Sequence, residues 1–197
     1  MCGFFDNHDV LIWAMDPHGI YSPKVGYASS MVARHSGDIS WWWRHLWKLK
    51  PPLKSKLFMW CILIDKVPTE LMLMHRANCG PSRCSLCKQH EEDSSHLFLT
   101  CPMSKSFWLR ILTSLNLHIN WSGKDIEANW HRWWMKSNSQ KVRSLPLLIC
   151  WGIWLNRNKT IFMDAKIDWE SSSTTLLAIY NLLPEDPDSR PPWVVTS

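Results

Sequence analysis

Glycine is scarce in this sequence, with 7 residues among 197, while tryptophan is unusually common, with 15. Hydrophobic residues make up 46% of the chain, which is ordinary for a globular protein. The length suits one domain, or one domain with a small appendage. We therefore expect a compact protein in which bulky aromatic side chains pack between helices.

The usual signatures of catalysis are also missing. The 17 acidic residues form no Tyr-x-Asp-Asp pattern and no recognisable carboxylate set that would hold two metal ions. There is no phosphate-binding glycine loop and no Gly-x-Ser-x-Gly turn. Most of the histidines are scattered, as surface or packing residues usually are. We therefore predict that the chain is not an enzyme and assign no catalytic residue.

Targeting and membrane-spanning segments are not expected either. The first residues lack the basic start and the long apolar run of a signal peptide. The most apolar stretch, from Leu145 to Leu155, contains Pro146 and Gly152 and is shorter than the roughly 20 residues that a membrane span needs. Of the 7 cysteines, three have metal-binding spacing together with one histidine, which favours a reducing compartment. We expect a soluble intracellular protein, nuclear or cytoplasmic, with no membrane partner.

What the sequence does contain is a cluster of metal-binding residue types. Cys84 and Cys87 are two residues apart, so one tight turn presents two thiolates, and His96 and Cys101 supply a second pair. The proline after Cys101 disfavours helical geometry there, so a helix through His96 should end near Thr100. Three thiolates and one imidazole fill a zinc tetrahedron and leave no position for a reactive water. We predict one structural Zn2+ ion.

Two neighbours leave the ligand set open. Cys79 and His90 lie close by, and either one replaces His96 or joins the cluster in an alternative arrangement. A further alternative is that the thiols are unrelated buried residues, since free cysteine is among the most buried residue types. If zinc binds, its removal is expected to unfold residues 80 to 115 and to leave the helix that begins at Pro146 largely intact.

The remaining pattern predicts a mainly α fold, a small helical domain with one structural zinc site and a short N-terminal β-hairpin within residues 1 to 30. Apolar residues recur at helical spacing in the segment after Pro51-Pro52, and their predicted buried stripe consists of Leu57, Trp60, Cys61 and Ile64. Further helices are predicted to begin at Pro102, at Asp125, at Pro146 and at Asp168.

The residues around the metal cluster resemble a known family. Glu92, His96-Leu97-Phe98, Cys101-Pro102 and Trp108 follow the first cysteine pair as in the zinc-binding domain of plant retroelement (non-LTR, LINE-type) reverse transcriptases. The similarity extends over about residues 9 to 163. It includes Gly19-x-Tyr21-Ser22, Trp47-Lys48, Pro51-Pro52, Lys54, Lys56, Phe58, Trp60, Pro68-Thr69, Trp151-Gly-Ile-Trp154, Arg157-Asn158 and Phe162. One departure is Ser85, where the family usually has proline, and it changes the rigidity of the turn.

The resemblance, the helical pattern and the composition of the C-terminal residues together predict a domain organisation. Residues 1–115 would form the reverse-transcriptase-type zinc-binding domain, residues 116–183 a tryptophan-rich helical extension and residues 184–197 a disordered tail. In longer members of the family, the segment from Trp151 leads to a ribonuclease-H-like domain. The chain would then be a non-catalytic accessory module of a retroelement protein.

The basic residues suggest what such a module binds. The net charge of +5 favours polyanions, and the densest basic patch consists of Arg44, Lys48, Lys50, Lys54 and Lys56. Tryptophans at positions 41, 42, 43 and 47 are interleaved with it, and cations beside aromatic faces bind single-stranded nucleic acid. We therefore expect RNA or DNA as a partner. One alternative is a zinc-stabilised module that docks a polymerase or another retroelement protein, in which the lysines only solvate the surface. A second alternative is an inactive remnant of a retroelement.

Overall fold

The computed structural model describes residues 40–77, 82–163 and 166–185, and within these ranges regular structure is helical except for one isolated β-bridge between Arg83 and Glu91. The mainly α fold predicted from the sequence is confirmed. The predicted hairpin lies outside the described residues, as does most of the predicted tail. The described residues from Arg44 onward belong to one compact unit.

Eight α-helices and one π-helical turn occupy the described ranges. The helices are α1 (Trp42–Lys48), α2 (Leu53–Leu63), α3 (Glu70–Ala77), α4 (Pro102–Ser114), α5 (Ile126–Lys136), α6 (Gln140–Arg143), α7 (Leu145–Met163) and α8 (Trp169–Leu182). The π-helical turn, His96–Thr100, lies between α3 and α4. None of the described helices combines the length and apolarity of a membrane span.

Local chemistry explains where several helices begin. Helix α4 has Pro102 in its first turn, where a missing N–H costs nothing. Helix α5 is capped by Asp125, whose Oδ1 accepts a hydrogen bond from the N–H of Ala128 at 2.7 Å. Helix α8 is capped in the same way by Asp168, which accepts from the N–H of Ser171 at 3.0 Å. These starts confirm the sequence-based predictions.

Helix α7 is the centre of the fold. It packs against α2, α4, α6 and α8, and its first six residues are all buried. Close approach to α4 is possible because residue 152 is glycine: a Cβ there would lie 3.2 Å from Cε1 of Phe107. Helix α7 therefore contacts both α2, which precedes the predicted metal ligands in the chain, and α4, which follows them.

Buried tryptophans fill the space around α4 and α5. The rings of Trp108 and Trp121 are stacked with centroids 4.6 Å apart, and the ring of Trp133 meets both edge-on. The indole N–H of Trp121 donates to the carbonyl of Phe98 at 3.1 Å, so the cluster is also hydrogen-bonded to the π-helical turn. The expected aromatic packing between helices is confirmed in this region.

The predicted buried stripe of α2 is wrong. The helix buries Ser55, Phe58, Met59 and Ile62, while Leu57 is 41% exposed and Ile64 is 37% exposed. Every residue from position 57 to 64 is apolar, so the sequence does not define one face and two stripes fit equally well. Packing decides between them, because the ring of Phe58 contacts the rings of Phe98, Trp151 and Trp154.

We expect Phe58→Ala to lower the free energy of unfolding by about 3–5 kcal/mol, because it empties a site that joins α2, the π-helical turn and α7. Leu57→Ala, the adjacent control, should cost less than about 1 kcal/mol. Urea unfolding of the two variants measures both. A larger decrease in the free energy of unfolding for Leu57→Ala than for Phe58→Ala would instead support the buried stripe predicted from the sequence.

Candidate metal centre

The structure brings together the four residues that the sequence proposed as metal ligands. One donor atom each from Cys84, Cys87, His96 and Cys101 lies within 4.8 Å of the other three. The sulfurs of Cys84 and Cys101 are 4.0 Å apart, and the sulfur of Cys87 is 3.3 Å from Nε2 of His96. Zinc–sulfur bonds of about 2.3 Å in a tetrahedron separate two sulfurs by about 3.8 Å. The cluster therefore fits a zinc ion.

A closed turn positions the first pair of ligands. The N–H of Lys88 donates to the carbonyl of Cys84 at 2.8 Å, and the N–H of Cys84 donates to the carbonyl of His90 at 2.7 Å. Lys88 has a φ of +58°, in the left-handed region, which reverses the chain immediately after Cys87. Both cysteine side chains consequently lie on the inner side of one turn.

The π-helical turn positions the second pair. It begins at His96 and ends at Thr100, as predicted from the following proline. The N–H of Cys101 donates to the carbonyl of His96 at 2.7 Å, which brings the two residues together. Nδ1 of His96 lies 3.3 Å from the hydroxyl of Thr100. That contact leaves Nε2 facing the thiols, as expected for a metal-binding histidine.

The pKa values of the buried thiols of Cys84 and Cys101 are shifted in opposite directions. The pKa of Cys101 is lowered to about 5, chiefly by a hydrogen bond from Cys84 and in smaller part by the N–H groups of Ser104 and Met103 at the start of α4. The same hydrogen bond and burial raise the pKa of Cys84. Cys101 is therefore ready to bind a cation as a thiolate, and a metal ion would displace the proton of Cys84.

The alternative ligands have different outcomes. His90 is exposed, and its ring centroid lies 5.4 Å from that of His96, edge to face. It is not among the four residues whose donor atoms converge, and its contribution to the turn is its backbone carbonyl. Cys79 lies outside the described residues.

Glu92 has a structural role that the sequence did not reveal. Its side chain is completely buried, and Oε2 accepts hydrogen bonds from both the N–H and the hydroxyl of Ser85, each at 3.0 Å. Its Oε1 accepts from the N–H of Glu70 at the start of α3, at 3.1 Å. One carboxylate thus holds the turn between Cys84 and Cys87 against another helix.

Arg157 of α7 supplies the opposite charge. Its Nε and Nη2 donate to Oε1 of Glu92 at 3.0 and 2.7 Å, and Nη2 also donates to Glu70 at 2.9 Å. The Arg157 side chain is only 2% exposed, and its guanidinium lies 4.8 Å from the ring centroid of Trp154. Glu92 and Arg157 both belong to the family pattern, but 65 residues separate them, and no sequence spacing indicates the pair.

The predicted basic patch lies largely at the surface. Arg44, Lys48, Lys50 and Lys54 are exposed. Lys56 is half-buried, and its Nζ donates to the carbonyl of Leu49 at 3.3 Å, after the end of α1. This bond gives Lys56 a structural role in addition to its charge.

A helical domain with three cysteines and one histidine converging on one point is the arrangement of a structural zinc site. Residues 21–108 match the family described as zinc-binding in reverse transcriptase. The resemblance drawn from the sequence is therefore confirmed over these residues, which are similar to the zinc-binding segment of reverse transcriptases.

A plant relative supports the same assignment. The chain is 26% identical over 105 residues to a protein of Arabidopsis thaliana named "Putative ribonuclease H protein At1g65750". The similarity covers 53% of this chain and 17% of that relative, so the chain spans only a small part of the relative's length. No solved structure matches the chain.

We expect the purified protein to bind one equivalent of zinc, and Cys84→Ser to lose most of it because the site then has only three of its ligands. Cys61→Ser, which alters a half-buried cysteine outside the cluster, should retain the metal. Metal analysis of both variants decides the matter. Retention of zinc by Cys84→Ser would move the site to other residues, and Cys79→Ser would then be the variant to examine.

Ser85→Pro should lower the free energy of unfolding by about 1–3 kcal/mol, because Oε2 of Glu92 loses both of its donors in a buried place. Ser85→Ala retains the N–H donor and should cost less. Thermal unfolding of the zinc-loaded proteins compares them. A more stable Ser85→Pro variant would mean that the rigidity of proline outweighs the two hydrogen bonds.

Proposed function

We propose that this chain is a non-catalytic zinc-binding module of a reverse-transcriptase-type protein and that it binds RNA or DNA through the exposed basic segment of residues 44–54. The observation that carries this proposal is the position of the charge. Residues 40–64 contain five basic side chains and no acidic one. The rest of the chain has the other 17 of the 22 basic residues and all 17 acidic residues, so it is neutral overall.

A surface on which positive and negative side chains are evenly mixed would not have this charge distribution. A solvated surface normally mixes both signs, whereas a phosphate-binding surface concentrates one. Arg44 and Lys48 are four residues apart on α1 and both are exposed, so they lie on the same helical face. Lys50 and Lys54 extend the positive surface across Pro51-Pro52 to the start of α2. The half-buried side chain of Trp47 lies within the same segment, and a base would stack on its ring.

Zinc has a structural role in this proposal. Cys84, Cys87, His96 and Cys101 would hold one Zn2+ ion with all four positions taken by protein, which leaves no water for hydrolytic chemistry. The ion would fix the turn that carries Cys84 and Cys87, and also the π-helical turn, relative to α4. Nucleic-acid binding itself would rest on charge and stacking, without base-specific contacts.

The test is a binding titration with single-stranded RNA and DNA at several salt concentrations. Substitution of Arg44, Lys48, Lys50 and Lys54 by glutamine should weaken binding to both nucleic acids. It should also reduce the slope of log affinity against log salt by about 0.7 for each phosphate of the single strand that the variant no longer neutralises. Zinc content should not change, because none of the four side chains belongs to the metal cluster.

A matched control separates local from global charge. Lys105, Lys124, Lys136 and Lys159 are also exposed, and their substitution by glutamine gives the same net charge. This control should bind nearly as well as the wild type. Equal weakening by both quadruple substitutions would mean that only the total charge matters. The protein-docking alternative would be favoured if the protein bound a polymerase fragment with an affinity that does not change with salt concentration and did not bind nucleic acid.

A further inference from the structure

We propose that Arg157 is a positioning residue for the metal cluster: through Glu92 it holds the turn that carries Cys84 and Cys87 in ligand geometry, so that zinc affinity depends on α7. The inference rests on the proposed zinc binding. It adds a residue that lies 56 positions beyond the last ligand, Cys101, and whose hydrogen bonds go to Glu70, Glu92 and Asn158 rather than to any of the four ligands.

The first step in the argument is the position of Ser85 within the first ligand pair. Its N–H and its hydroxyl both donate to Oε2 of Glu92. The carboxylate therefore fixes the backbone at the residue immediately after Cys84. If the carboxylate moves, the orientation of both cysteine side chains changes with the turn.

The second step is that Glu92 is joined to the second ligand pair through its neighbour in the chain, Asp93. The N–H of Glu92 donates to the carbonyl of Ser82 at 2.7 Å, and the next residue, Asp93, accepts a hydrogen bond from the N–H of His96 through Oδ1. Glu92 thus lies between the segments that supply the two ligand pairs. Its position affects how closely those pairs approach each other.

The third step is the need for a cation. A completely buried carboxylate without an opposite charge either takes up a proton or shifts toward water. Arg157 prevents both, because two of its nitrogens donate to Oε1 of Glu92 while the ring of Trp154 covers its guanidinium. Lysine has the same charge but not the planar fork, so it cannot make both bonds and the contact to Glu70 in this geometry.

Buried ion pairs also occur simply as parts of a core, and their removal then affects only stability. The two roles differ in what they do to the metal. A purely structural pair lowers the unfolding midpoint when it is broken and leaves the zinc affinity of the folded protein unchanged. Breaking a positioning pair weakens zinc binding in protein that is still folded.

The experiment is a competition between the protein and a chromophoric chelator of known zinc affinity, with circular dichroism to verify the fold of each zinc-loaded variant. Arg157→Met and Glu92→Gln should each weaken zinc binding about 10–100-fold, the range for residues that orient metal ligands. The double variant should bind only slightly more weakly than either single one, because both substitutions break the same connection. Arg157→Lys should not restore wild-type affinity.

Arg110→Met is the matched control. Arg110 also pairs with a glutamate, Glu170, at 2.8 Å, but both side chains are largely exposed and lie outside the metal cluster. The zinc affinity of the Arg110→Met variant should equal that of the wild type. If Arg157→Met does not fold, Arg157→Lys and Glu92→Gln decide, since both nearly preserve side-chain volume.

Unchanged zinc affinity in folded Arg157→Lys and Glu92→Gln would overturn the proposal and leave the pair a structural part of the core. Failure of zinc binding itself is distinguishable, because the wild-type protein would then take no zinc from the chelator. Retention of zinc by Cys84→Ser would likewise contradict the proposed ligands rather than the role of Arg157.

Discussion

A buried carboxylate that must be neutralised is the constraint on which this structure depends. Glu92 has no exposed surface, and leaving its charge unpaired there would cost several kcal/mol. Its partners come from three separate parts of the chain: the N–H of Glu70 at the start of α3, Ser85 in the metal-binding turn and Arg157 in α7. Satisfying this one group therefore brings three elements into a single arrangement.

The metal cluster and the basic segment both depend on α7. On one side, Arg157 of α7 reaches the metal-binding turn through Glu92. On the other, α7 packs against α2, and Phe58 of α2 contacts Trp151 and Trp154 of α7. The residues proposed to contact phosphate precede and begin α2. A single helix thus supports the turn that would bind zinc and the helix that continues the proposed nucleic-acid surface.

Local rules predicted much of this fold. Proline at position 102, aspartate at 125 and aspartate at 168 mark helix starts because capping depends only on neighbouring residues. The spacing of the three cysteines and the histidine predicted the cluster for a similar reason, since each pair lies within one short segment. The family resemblance predicted over about residues 9 to 163 rested in part on the same residues, and the family match supports it over residues 21–108.

Non-local packing set the limit of that prediction. The buried face of α2 was placed wrongly because its apolar residues surround the helix, and only contacts with Phe98 and α7 select Phe58. The pairing of Glu92 with Arg157 was not anticipated, because charge complementarity over 65 residues leaves no periodic signal. The sequence alone also suggested that residues 80 to 115 would unfold by themselves when zinc is removed, and the contacts of Arg157 change that expectation.

Hydrogen exchange of the zinc-loaded protein, before and after addition of a chelator, tests the connection between the metal cluster and α7 most directly. If Arg157 and Glu92 join the two, removal of zinc should reduce amide protection in α7 around residues 153–157 together with residues 84–101, because movement of the turn displaces the carboxylate that Arg157 contacts. A decrease in protection confined to residues 82–115, with α7 unchanged, would contradict this account.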